Sequence, residues 1–96
     1  MIIVTARMKV KSGKMESFIS KTQYLISSTR QEKGCISYNL YASTEEDDVL
    51  IMLEQWIDIK SSNEHMETDH FKKFGNTIEH FLEEKIEIKS YSAKEV

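Results

Sequence analysis

Tyr38, Glu54, Trp56 and His65 are the side chains of this sequence best able to do chemistry as a group. Glu54 and Trp56 stand two apart in a run that reads as a strand, so they share a face. If the hairpin before that strand turns near Glu46, Tyr38 falls opposite Glu54 and Ile36 opposite Trp56. A carboxylate, a phenol and an indole then lie close together. His65 follows on a short helix and reaches the same spot if this face looks toward the helices. The run Val49 to Leu53 is apolar on both faces, so alternation does not fix which way it looks. Imidazole titrates near neutral pH, which makes His65 the first candidate for a base or hydrogen-bond anchor, with Tyr38 and Glu54 orienting substrate hydroxyls or the imidazole. Trp56, Phe71, Phe74 and Met52 supply apolar walls that suit a flat aromatic molecule.

Some of these residues, and the other charged groups, also have a plainer reading. Trp56 at a strand end is more often a core anchor than a substrate platform, and His65 could simply cap a carbonyl or remain partly exposed. His70 beside Asp69 reads as a local helix-start arrangement and His80 as a surface residue. Arg30 and Glu32 read as a surface pair or as a brace between helix and sheet, and Glu45 to Asp48 as a solvated turn with at most weak cation affinity. His65 and His70 are five apart, which on a continuous helix puts them on different faces, so no metal site is expected there.

The elements that must position these groups follow from periodicity. Ile2 to Val10 alternates as a first strand, with Ile2, Val4, Ala6, Met8 and Val10 on one face. From Met15 the apolar positions Met15, Phe18, Ile19, Leu25 and Ile26 take helical spacing, and the helix is expected to close near Lys33-Gly34 on a left-handed glycine. Cys35 to Ala42 and Val49 to Trp56 form a hairpin around the acidic turn. Asp58 caps a short helix, Thr68 and Asp69 offer a second start, and Phe71, Phe74, Ile78, Phe81 and Leu82 run at helical spacing. Ile86 to Tyr91 is a short last strand. The order is βαββαβ, an α+β ferredoxin-like arrangement with a four-stranded antiparallel sheet.

Right-handed crossovers place both helical segments on one face of such a sheet and leave the other bare. A second copy packed face to face covers it, so a homodimer is expected. The length of 96 residues accommodates one domain, residues 1–96. A composition 40% hydrophobic and 30% charged excludes the disordered and membrane classes, and Arg7 and Lys9 interrupt the apolar opening well short of a bilayer span. A net charge of −3 with scattered lysines disfavours nucleic acid as a partner. Cys35 reads as a half-buried structural thiol, and the expected location is the cytoplasm.

Three stretches carry a family resemblance: Arg30-x-Glu32-x-Gly34-Cys35-x-x-Tyr38, Glu54-x-Trp56, and His65-x-x-Thr68-x-His70-Phe71. With the opening strand and the Lys11 to Phe18 segment, their order resembles the antibiotic biosynthesis monooxygenase family across essentially the whole chain. The resemblance implies a dimeric α+β barrel and a cofactor-independent monooxygenase that oxidises quinols, anthrones or related aromatics, with molecular oxygen as co-substrate. Relatives in the same family degrade haem or isomerise a phosphorylated autoinducer, and others have no established reaction, so a non-catalytic small-molecule-binding dimer stays open. The haem pattern is disfavoured: the first strand reads Val4-Thr5-Ala6-Arg7 without its asparagine, His65 stands where an aromatic belongs, and the ligand position falls near Gly75. For a phosphorylated substrate the cationic candidates are Arg7, Lys9 and Arg30.

Overall fold

The computed structural model describes all 96 residues. The elements are β1 (Ile2–Lys9), α1 (Met15–Arg30), β2 (Cys35–Ala42), β3 (Val49–Trp56), α2 (Ile59–Met66), α3 (Asp69–Ile78) and β4 (Glu87–Ser92). The four strands form one antiparallel sheet in the order β2-β3-β1-β4. This is the ferredoxin-like βαββαβ order, with the second helical segment divided in two. No helix is long and apolar enough to cross a membrane.

The core lies between one sheet face and the helices. Val4, Ala6 and Met8 of β1 and Leu50, Met52 and Trp56 of β3 are buried there, as the period of two requires. Helix α1 answers with Phe18, Leu25 and Ile26. The Phe18 ring meets Phe81 edge-on at 6.0 Å and Phe74 at 6.2 Å, tying α1 to α3 and the chain beyond it. Asp58 caps α2 by accepting from the Ser61 N–H at 2.8 Å, and the Thr68 hydroxyl caps α3 at Phe71 N–H.

Three local expectations change. Helix α1 stops at Arg30, and Gly34 is not left-handed. Gly34 is required for a different reason: a Cβ there would run into the Ser61 side chain, so the turn before β2 can approach α2 only without one. Helix α3 ends at Ile78; the Phe81 N–H bonds back to the Ile78 carbonyl at 2.8 Å and Leu82 bridges to Val10, so Phe81 and Leu82 reach the core from a turn. In β2 a bulge between Cys35 and Ser37 puts Cys35, not Ile36, opposite Trp56 and leaves Ile36 half-exposed.

On the opposite sheet face the register aligns Arg7, Ile51 and Tyr41 in one row and Thr5, Leu53 and Asn39 in the next, with Ile3 beside Tyr91. Tyr41 and Tyr91 are about half-exposed, and every helix lies on the other side.

Candidate functional site

The even-numbered residues of β3 face the helices, so Glu54 enters the interior between Met52 and Trp56. Tyr38 lies opposite Glu54 across the hairpin, the pairing expected from a turn centred at Glu46. Trp56 is fully buried, and its indole N–H donates to Glu54 Oε1 at 3.0 Å. Burial pushes the Glu54 carboxyl up to about 7; the Trp56 bond pulls it back down and the nearby Glu32 charge adds to the rise. Burial, followed by the Glu54 charge, likewise raises the Tyr38 phenol, which keeps it neutral and able to donate.

A cavity of about 620 Å³ opens between this part of the sheet and α3. Tyr38, Met52 and Glu54 line it from the sheet and Phe71 and Phe74 from α3, which brings five of the seven predicted site residues to one cavity. Ala6 and Met8 form the floor, and Gly75 contributes no side chain on the α3 side. The lining is mainly apolar with Glu54 and Tyr38 as inner polar groups, the composition of a small-molecule pocket.

His65 and Trp56 do not line this cavity. They form a layer behind it. The His65 ring stacks on Trp56 at 4.8 Å and meets Tyr38 at 5.4 Å and Phe71 at 5.1 Å edge-on. Burial lowers the His65 imidazole, with Glu32 opposing that shift. The imidazole thus stands one layer behind the cavity lining.

Glu32, read from sequence as a surface pair or brace with Arg30, instead joins the two histidines. One of its carboxylate oxygens, Oε2, lies 2.7 Å from His65 Nδ1 and 2.7 Å from His70 Nε2. The break at Thr68 reorients α3 and brings the two imidazoles within 5.9 Å of each other despite their spacing. His70 therefore serves this cluster, and Thr68 does the capping. No local pattern announces the contacts, since Glu32 is 33 residues from His65 and 38 from His70; the second helix start at Thr68 is the one usable signal.

Arg30 is a brace: it donates from Nε to the Tyr38 carbonyl at 3.1 Å and from a terminal nitrogen to Asn39 Oδ1 at 2.9 Å. Arg7 bonds Glu46 at 3.1 Å and Glu84 at 3.0 Å, both at exposed positions. The cavity rim carries Glu79, Glu83 and Glu84 against the single cation Lys85. Cys35 is free and half-buried, its thiol raised chiefly by burial.

Residues 1–77 match the family model described as antibiotic biosynthesis monooxygenase. A Bacillus subtilis protein named "Putative monooxygenase YcnE" is 39% identical over 74 residues, covering 77% of this chain and 78% of its own length. An uncharacterized Synechocystis sp. protein, sll1783, is 35% identical over 98% of this chain, which spans 64% of that relative's length. The crystal structure of a conserved protein from Methanosarcina mazei superposes with a TM-score of 0.93 at 36% identity, covering 97% of this chain and 92% of the other. An antibiotic biosynthesis monooxygenase-like structure from Caulobacter crescentus gives 0.93 at 28% identity, covering 98% and 90%. On the family model and these relatives, the chain belongs to the antibiotic biosynthesis monooxygenase family.

Proposed function

We propose that the chain is a cofactor-independent monooxygenase that oxidises a flat, electron-rich aromatic of the quinol or anthrone class. The observation that carries this reading is a buried carboxyl, raised to about 7, on the wall of a mainly apolar cavity. A base poised near neutral pH accepts a proton from a phenolic or benzylic position, and a dry wall prevents the resulting anion from being quenched by water. The anion gives one electron to molecular oxygen, and the radical pair combines at carbon. For an anthrone, one oxygen atom becomes the new carbonyl and the other leaves as water with the two hydrogens lost from that carbon. Glu54 takes the base role in this scheme, Tyr38 orients the substrate oxygen, and Phe71, Phe74 and Met52 hold the ring. His65, the base expected from sequence, acts through the wall it supports. Haem and other cofactors are not required by these steps.

The phosphorylated-substrate alternative is weakened by the site's charge. Arg7 is paired with Glu46 and the rim residue Glu84, Arg30 is held by the Tyr38 carbonyl and Asn39, and the rim is acidic. We place the protein in the cytoplasm, where the free thiol of Cys35 stays reduced. We also propose a homodimer in which the uncovered sheet face, with Ile51, Leu53 and Tyr41, packs against its copy.

The test is oxygen uptake by metal-free protein with a panel of quinols and anthrones. Uptake above the autoxidation rate that is lost in Glu54→Gln supports the reading. Ligands that stabilise the protein and are recovered unchanged under oxygen would replace it with a binding module.

A further inference from the structure

We infer that Glu32, His65 and His70 form a binding site for one transition-metal dication of the zinc type, separate from the aromatic cavity. The three side chains come from the turn after α1, from α2 and from α3, and their candidate ligand atoms all lie within 4.8 Å of one another. Two imidazole nitrogens and one carboxylate oxygen suit Zn²⁺, Co²⁺ or Fe²⁺ and are a poor set for Mg²⁺ or Ca²⁺. The Glu32 and His70 side chains are each 16% exposed, which leaves a way in and an outward coordination position for water.

For a neutral imidazole, the proton count at His65 gives an independent reason. Its Nε2 is buried with no hydrogen-bond partner, in a ring packed by Tyr38, Trp56 and Phe71. If Nδ1 carries the proton toward Glu32, a lone pair on Nε2 is stranded in aromatic surroundings. If Nε2 carries it, an N–H there can rest against a π-face, but Nδ1 and Glu32 Oε2 then oppose lone pairs at 2.7 Å. A cation between Nδ1, Oε2 and His70 Nε2 resolves the second arrangement, because all three lone pairs then coordinate. Metal–ligand bonds of about 2.0–2.2 Å need the imidazoles to move out from Oε2 by roughly half an ångström. None of the three ligands lines the cavity, so the ion would clamp α3 and the turn before β2 to α2 without touching a molecule bound there.

The full chain, stripped with a chelator and dialysed, is titrated with CoCl₂ while visible absorption is followed, then with ZnCl₂ by calorimetry and thermal denaturation. The expected result is one ion per chain, a d–d band of low-coordinate Co²⁺ that Zn²⁺ abolishes, and a Tm that climbs with Zn²⁺ concentration. The near-isosteric Glu32→Gln and the more exposed His70→Ala should each weaken binding by at least about tenfold, and His80→Ala should not. The site is refuted by no Co²⁺ band and no Tm shift up to millimolar metal, or by binding in His70→Ala as tight as in the parent. A shared-proton NMR signal from the cluster that persists unchanged in excess Zn²⁺ would equally refute it and leave a hydrogen-bond network alone. Binding is read without turnover, so its failure leaves the monooxygenase reading standing.

Discussion

Replacing Glu54 with glutamine should stabilise the protein at alkaline pH relative to acid pH, and the size of the effect follows from the site. A carboxyl moved from its ordinary 4.5 to about 7 is, at about 1.4 kcal/mol per tenfold change in proton affinity, about 3 kcal/mol harder to ionise in the folded chain than in the unfolded one. The folded pKa lies above the unfolded one, so the folded state holds the extra proton between those values. Stability is therefore unpenalised below 4.5, falls as pH rises, and carries the full cost above about 7. Glutamine cannot ionise, yet its carbonyl still accepts the Trp56 N–H. Its buried amide donors add a cost of about 1–3 kcal/mol that does not vary with pH. The measurable quantity is the variant-minus-parent difference in unfolding free energy, from urea denaturation at fixed protein concentration between about pH 4 and about pH 8.5. It should rise by about 3 kcal/mol across that range. A difference flat to within about 1 kcal/mol would mean that Glu54 ionises normally and is not a base poised near neutrality.

Four other substitutions probe the surroundings. Trp56→Phe removes the N–H that lowers the Glu54 pKa, so the acid limb of the pH–rate profile should move upward, with about 1–3 kcal/mol lost from stability; an unchanged limb would detach the indole from the base. Gly34→Ala should cost about 1–3 kcal/mol in thermal denaturation, and Ser61→Ala should not restore it, because a Cβ at Gly34 meets Ser61 Cβ as well as its hydroxyl. Leu53→Glu places a charge at the middle of the uncovered sheet face and should turn the proposed dimer into a monomer in sedimentation, with far-ultraviolet circular dichroism preserved.

The sheet was readable because its signals are local and redundant. The alternation of β1, the caps at Asp58 and Thr68, and the Tyr38–Glu54 pairing each come from a few adjacent residues and simple geometry. What escaped depends on contacts between distant segments. The shift in β2 comes from a bulge that leaves no mark in the alternation, and the end of α3 is set by Leu82 pairing with Val10. The same holds for the site. Glu54 and its indole partner are two residues apart and could be paired from sequence, whereas Glu32 looks like any turn glutamate until α2 and α3 fold over it. The role expected of His65 came from its intrinsic titration range, which does not say whether the ring reaches the cavity or stands one layer behind it.

That layering assigns different consequences to front and back. Tyr38, Phe71, Phe74 and Met52 meet the cavity, so their substitution should change which aromatics are accepted. Trp56 and Glu32 act on the Glu54 proton from behind and in opposite senses: the indole N–H lowers its pKa and the Glu32 charge raises it. In metal-free protein Trp56→Phe should therefore move the acid limb of the kcat/KM profile, which reports the free enzyme, up and Glu32→Gln should move it down, each by the same amount for every substrate. A generally loosened core would not produce two shifts of opposite sign. If both variants shift the profile the same way, or if the shift depends on the substrate, the carboxyl that titrates in turnover is not Glu54 and the base must be sought on the acidic rim at Glu79, Glu83 or Glu84.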